Sequence, residues 1–347
     1  MVNLVFIYIT LTFLVLRFSV TVFNFLSNPK LGNYSRRFSE KVSVIISVTA
    51  TTIDLKPTLQ TLLQQNYQQL EVFIIHSEKA IVEPEVKAIC KNDDRFILRE
   101  KSNFHIDETE GVYLLFLEPN VLVHDALINS LIYRVKVFKL ALLNVIPSRI
   151  LKGVNAHLLL PLREFVLLNL IPIRLVRLFA SPVFSAAGNG CMFFDASVYR
   201  ERIWQQKTDF DAQGEIDLVR AVKQEGLKVE TLMGNKLISV PGNEQLSTNF
   251  LKTGQQLLKI FGDNILVASL YLLMVVGGPL IMFLNYEFSL LILPVGLIFL
   301  SRIMISFLSA QNPVWNVLLH PLQMLFLLAS LCGAIFSGII QQIKQKG

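Results

Sequence analysis

Cysteine is scarce and scattered in this chain. Its three cysteines, Cys90, Cys191 and Cys332, are odd in number and far apart, which fits neither a disulfide framework nor a four-ligand zinc site. Histidine offers no metal spacing either, since His105, His124 and His320 have no partners at ligand intervals. Charge is thin: 17% of the 347 residues are Asp, Glu, Lys or Arg, against about 25% in ordinary soluble domains. With 52% hydrophobic residues and a mean hydropathy of +0.51, the composition excludes a wholly soluble globular protein.

What is there divides into two environments. Residues 1–28 are apolar apart from Arg17 and a few hydroxyl and amide side chains, long enough for a membrane anchor. Lys30, Arg36, Arg37 and Lys41 follow it, so the positive-inside rule puts the next segment in the cytoplasm, at the plasma membrane of a multi-pass protein. Residues 264–340 hold three more apolar runs, Ile265 to Leu284, Phe288 to Leu308 and Val314 to Ile340, separated by short polar breaks. Arg302 lies near the end of its run, where it is expected to snorkel to the surface. The runs lack paired charges, which argues against a transporter. The net charge of +6 is spread over the interior region and the span flanks, a pattern for anionic lipid head groups rather than nucleic acid.

The interior, residues 38–262, alternates strand and helix signals. Lys41 to Thr49, Leu70 to His76, Arg95 to Arg99 and Gly111 to Leu117 are short β-branched or aromatic runs, and Leu55, Leu59, Leu62 and Leu63 mark a helix between the first two. Further strands are expected at Leu140 to Ile146 and Phe184 to Phe194, and a helix from Ile216 to Gln224 that ends at Gly226. These signals describe an α/β domain with a doubly wound, mostly parallel sheet. Its ligand crevice should lie beyond the carboxyl ends of the strands, where Thr49 to Thr52, His76 to Lys79 and Glu118 to Asn120 converge. Residues 154–180 are apolar but carry Arg163, Glu164, Arg174 and Arg177, which suits an interfacial amphipathic segment better than a span.

The order of KVSVIISV, LQTLLQQNYQQLEVFII, LLFLEPNVLVHDAL, FSAAGNGCMFFDASVY and GEIDLVRAVKQEGLKVETLMG resembles the membrane-bound family 2 glycosyltransferases of GT-A fold. The likeness is to the branch that acts on lipids such as carotenoids, hopanoids or sphingolipids. The resemblance implies an inverting hexosyltransferase that moves one sugar from a nucleotide-sugar donor to a lipid hydroxyl at the cytoplasmic membrane face, with Mg2+ or Mn2+ as cofactor. The family's D-x-D metal position reads Glu118-Pro119-Asn120, which leaves one carboxylate and one amide oxygen for the metal. The nucleoside-binding positions read His76, Ser77 and Thr49, and Gly188 and Gly190 fall where the family lines its donor and acceptor site. The resemblance aligns Glu215 with the general base, with Asp217 as a substitute. The aromatic, basic signature of processive relatives has no counterpart, so a polymerase is not expected. Because so many functional positions depart from the family, a catalytically inactive scaffold or binding subunit stands as the alternative.

Overall fold

Runs of Val and Ile too short for a buried helix form the paired strands β1 (Val42–Val48) and β2 (Leu70–His76), parallel in register from Val42↔Leu70 to Val48↔His76. The computed structural model describes residues 2–34, 36–48, 55–78, 83–188, 190–202, 214–242 and 246–346. Eight further strands are described: β3 (Phe96–Glu100), β4 (Tyr113–Leu117), β5 (Leu122–Val123), β6 (Leu142–Ile146), β7 (Ser148–Ile150), β8 (Cys191–Asp195), β9 (Val229–Met233) and β10 (Ile238–Pro241). Seven of the ten make one sheet in the order β3-β2-β1-β4-β8-β6-β9, and β5-β10-β7 make a small second one. Only β8 runs antiparallel in the large sheet, against both β4 and β6.

The strand signals at residues 41, 70, 95, 111 and 140 correspond to β1, β2, β3, β4 and β6. The expected strand Phe184 to Phe194 is shorter: Ser185 to Gly188 are buried without strand pairing, and the ladder begins at Cys191. Strand β9 is not among the expected strands, since VETLM sets Glu and Thr side by side, yet all five of its residues are buried.

The amino ends of the central strands are stitched by one side chain. Buried Glu71 of β2 accepts from the backbone N–H of Glu110 at 2.7 Å and of Gly111 at 3.2 Å, bonds Ser43 of β1 and pairs with Lys41 at 3.1 Å. With those ends tied and polar groups satisfied, the carboxyl ends are left for binding. Helices Lys56–Leu63, Leu127–Phe138 and Glu215–Gln224 cover the sheet through Leu59, Leu131, Val219 and Val222. Glu230 of β9, 1% exposed, accepts two 2.6 Å bonds from Arg134 Nε and Nη2, and lies 3.6 Å from Arg174 and 3.4 Å from Arg177. Arg134 and Arg177 also stack on Phe138, at 4.1 and 3.7 Å from the ring centre.

The chain divides into two units: Pro29–Ile150 with Arg174–Pro241 forms the sheet unit, and Met1–Asn28, Leu151–Ile173 and Gly242–Gly347 form a helical unit. Among the described residues, four helices are long and apolar enough to cross a membrane: Val5–Ser27, Ile265–Asn285, Ser289–Leu308 and His320–Gly338. The last apolar run is split into Pro313–Leu318 and His320–Lys346, because Pro321 cannot donate a backbone N–H and disfavours helical backbone before it. Of the stretch 154–180, residues up to 173 belong to the helical unit and the rest to the sheet unit. In the helix Pro161–Leu170 every residue from Pro161 to Asn169 is buried, Arg163 and Glu164 included. Its last carbonyls are capped from the N-terminal helix, where Asn24 Nδ2 donates to Leu168 O and Ile171 O at 2.9 Å each and Asn24 Oδ1 accepts from Ile173 N at 2.8 Å.

Glu230→Gln removes the counter-charge from three arginines at once. We expect it to destabilise the sheet unit by about 3–5 kcal/mol, read as a lower thermal midpoint of the full chain in detergent; an unchanged midpoint would show that the cluster is solvated.

Candidate functional site

The carboxyl edge of the large sheet is assembled by strand pairing. Val48 is the register partner of His76, Ser77 N donates to Val48 O at 3.2 Å, and Ile46 is the partner of Leu117, the residue before Glu118. Thus His76 and Ser77 sit at the end of β2 and Glu118 at the end of β4, the two strands that flank β1, and all three are partly exposed. His76 Nδ1 lies 3.2 Å from Ser77 O, so that nitrogen is the protonated one if the contact is a hydrogen bond. Thr49 and the rest of the turn 49–54 lie outside the described residues, as does Asn189.

Glu118 is held by its backbone, which leaves its carboxylate available. Its N–H donates to Gly190 O at 3.1 Å, its carbonyl accepts from Val121 N at 3.2 Å, and Thr58 Oγ1 donates to Pro119 O at 2.6 Å. Asn120, at the tip of this turn, is exposed. The antiparallel entry of β8 therefore brings Gly190 and Glu118 together.

Gly188 and Gly190 are required by space. A Cβ at Gly188 would meet Ile146 Cγ1 at 2.5 Å, and one at Gly190, whose φ is +123°, would meet Pro147 Cγ at 2.6 Å. The loop is clamped by Asn144 of β6, which sequence reasoning missed. Asn144 Nδ2 donates to Gly188 O at 3.0 Å and Cys191 O at 3.2 Å, while its Oδ1 accepts from Gly188 N at 2.9 Å. An Asn inside the otherwise apolar run LLNVI was the available signal, because a fully buried amide needs partners. Thr231 of β9 adds a 2.5 Å bond to Ala186 O, and the buried Lys223 ammonium donates to Phe179 O at 2.9 Å and to Phe184 O. Burial pushes the Cys191 thiol up, far from thiolate chemistry.

The acids of the Glu215–Gln224 helix belong to a different group of side chains. Glu215 is its first residue after Gly214, partly exposed at the positive end of the helix, whereas Asp217 accepts from Arg220 at 3.0 Å.

Among the described residues, no group of three His, Cys, Asp or Glu side chains could hold a metal ion. Glu118 and Asn120 provide a carboxylate and an amide oxygen from one turn, too few donors for a self-standing cation site. Such a set fits Mg2+ or Mn2+ only when phosphate oxygens of a ligand complete the shell.

No family model and no curated protein matches the sequence. Among solved structures, the mannosyltransferase PcManGT from Pyrobaculum calidifontis, in complex with GDP-Man and Mn2+, is similar over 96% of this chain and 99% of that one, with 10% identity and a TM-score of 0.55. The two chains share a fold. S. aureus TarS 1–349, solved in complex with UDP-GlcNAc, is similar over 85% of this chain and 89% of its own at 11% identity, but a TM-score of 0.40 is too low to bear on the argument.

Asn144→Leu would strand three buried backbone groups of the glycine loop, each costing about 1–3 kcal/mol. The expected readouts are a thermal midpoint lowered by several degrees and faster amide exchange at Gly188 and Cys191; native exchange rates there would remove Asn144 as the clamp.

Proposed function

We propose that this chain is a membrane-bound glycosyltransferase of GT-A type that moves one sugar from a nucleotide-sugar donor to the hydroxyl of a lipid acceptor at the cytoplasmic face. The observation that carries this reading is fold similarity to a solved glycosyltransferase over nearly the full length of both chains, with strand-end residues His76, Ser77, Glu118 and the glycine loop on the edge where such a sheet binds ligands.

In this reading the donor diphosphate lies over the turn Glu118-Pro119-Asn120, where Glu118 and Asn120 would hold a divalent cation shared with the phosphates. The cation would supply charge neutralisation of the leaving diphosphate. Gly188 and Gly190 admit the donor against bare backbone, His76, Ser77 and Thr49 take the nucleoside side, and the Glu215 carboxylate accepts the proton of the attacking hydroxyl. Direct attack inverts the anomeric carbon and expels the nucleoside diphosphate. A lipid acceptor is supported by the four apolar helices, and the exposed Leu178 and Phe179 suit the membrane surface proposed for part of 154–180.

Thermal shift against a panel of GDP- and UDP-sugars with Mn2+ or Mg2+ tests the reading. At 100 times its dissociation constant a ligand stabilises by about 2.7 kcal/mol, so at least one pair should raise the midpoint. No shift with any pair would sink the enzyme and leave a binding or scaffold role for the fold. Glu118→Ala should abolish the cation-dependent part of the shift. Glu215→Gln should keep nucleotide binding but lose transfer by roughly 10²–10⁴-fold, and retained turnover would remove Glu215 from the mechanism.

A further inference from the structure

Two guanidinium groups lie inside the helical unit with no carboxylate bonded to either among the described residues. Arg17 stands ten residues before the end of the Val2–Ser27 helix, about 15 Å along its axis, and Arg302 six residues before the end of the Phe288–Leu308 helix, about 9 Å. They are 7% and 1% exposed, so neither snorkels. Here the structure differs from the sequence reading of Arg302, whose guanidinium is buried over the ring of Phe165 on the Pro161–Leu170 helix.

Among the described residues the Arg17 side chain makes no hydrogen bond or ion pair, and its Nε is buried without a partner. Arg302 donates from Nε to Asn316 O at 3.4 Å, while its Nη2 has no acceptor. Both cations lie over one ring, Phe165, at 5.2 and 4.3 Å from its centre, and Arg17 also faces Phe13 and Tyr271 at 5.7 and 5.5 Å. Aromatic faces offset only on the order of 0.5–2 kcal/mol of the cost of burying a cation. Two such charges on one ring also repel each other where the dielectric is low.

The residues lining the adjoining cavity include no carboxylate, and there is room for one oxygen-sized group. Tyr271 Oη and His320 Nδ1 are buried without partners, and a cavity of about 20 Å³ opens among Thr10, Arg17, Asn169, Ser301 and His320. That volume admits one oxygen-sized group, which suits the corner of an oxyanion whose bulk stays outside.

We propose that Arg17, which lines this cavity, and Arg302, which lies outside its lining but over the same Phe165 ring, bind the phosphate of an anionic lipid, with one phosphate oxygen entering the cavity beside Arg17. Open N–H donors on both guanidiniums supply the charge-assisted bonds such a group accepts. A lipid is favoured over a free anion because the flanking helices present apolar surface on which acyl chains rest, as at Leu266, Leu290, Ile292 and Leu293. The site stands in the helical unit alone and does not depend on sugar transfer.

The full chain, purified in neutral detergent, is reconstituted into phosphatidylcholine vesicles with or without phosphatidylglycerol, and a third sample receives inorganic phosphate instead. Phosphatidylglycerol should raise the thermal midpoint and survive detergent exchange as a bound lipid in native mass spectra. Arg17→Gln and Arg302→Gln should each weaken its retention roughly tenfold, as loss of one charged hydrogen bond predicts. Arg17→Lys, which keeps the charge, should retain most of it, and the wild-type vesicle comparison decides even where a neutral variant misfolds. Equal midpoints in both vesicle types, or a rise with inorganic phosphate and none with phosphatidylglycerol, would overturn the proposal.

Discussion

The reversed strand β8 is the element on which the carboxyl edge of the large sheet depends. In a purely parallel sheet β4 and β6 would be neighbours, and nothing would bring residues 188–191 beside Glu118. Inserted antiparallel between them, β8 starts where β4 ends, so Cys191 pairs with Leu117 and the Glu118 N–H finds Gly190 O. The insertion needs backbone without Cβ at Gly188 and Gly190, and it needs Asn144 to satisfy the polar groups that the ladder leaves open. One side chain on a neighbouring strand thus controls the shape of the candidate donor site.

The opposite edge follows the reverse logic. There Glu71 consumes two backbone N–H groups and a lysine, so the sheet is closed by satisfied bonds where no ligand is expected. Glu230 plays a comparable part for Arg134, Arg174 and Arg177, and burial together with the Arg134 charge lowers the Arg174 affinity for its proton. Each cluster concentrates charge around a single buried carboxylate, which fixes local packing at a high desolvation cost.

The helical unit holds its polar groups differently. Asn24 and Thr21 are matched to the end of the Pro161–Leu170 helix, whereas Arg17 and Arg302 are matched to no acid among the described residues. Capping amides inside a bundle satisfy backbone and need nothing else. Unmatched cations in the same bundle are the contrast that points to a missing anion.

Much of the architecture was legible in the residues. Period and composition are local properties, so β1, β2, β4, the Glu215–Gln224 helix and the four apolar runs could be read directly, and so could the strand-end position of His76, Ser77 and Glu118. Strand β9 was hidden because burial of Glu230 and Thr231 depends on partners distant in sequence. The same holds for Asn144, whose role exists only once β8 lies beside β6. The charges in residues 154–180 read as those of an interfacial segment, yet Arg163 and Glu164 within it are buried, since a sequence shows charges but not the side chains packed around them. Residue type and spacing determined which elements form; only tertiary packing decided which polar groups are paired, because hydrogen-bond partners and burial are set by neighbours that the linear order does not name.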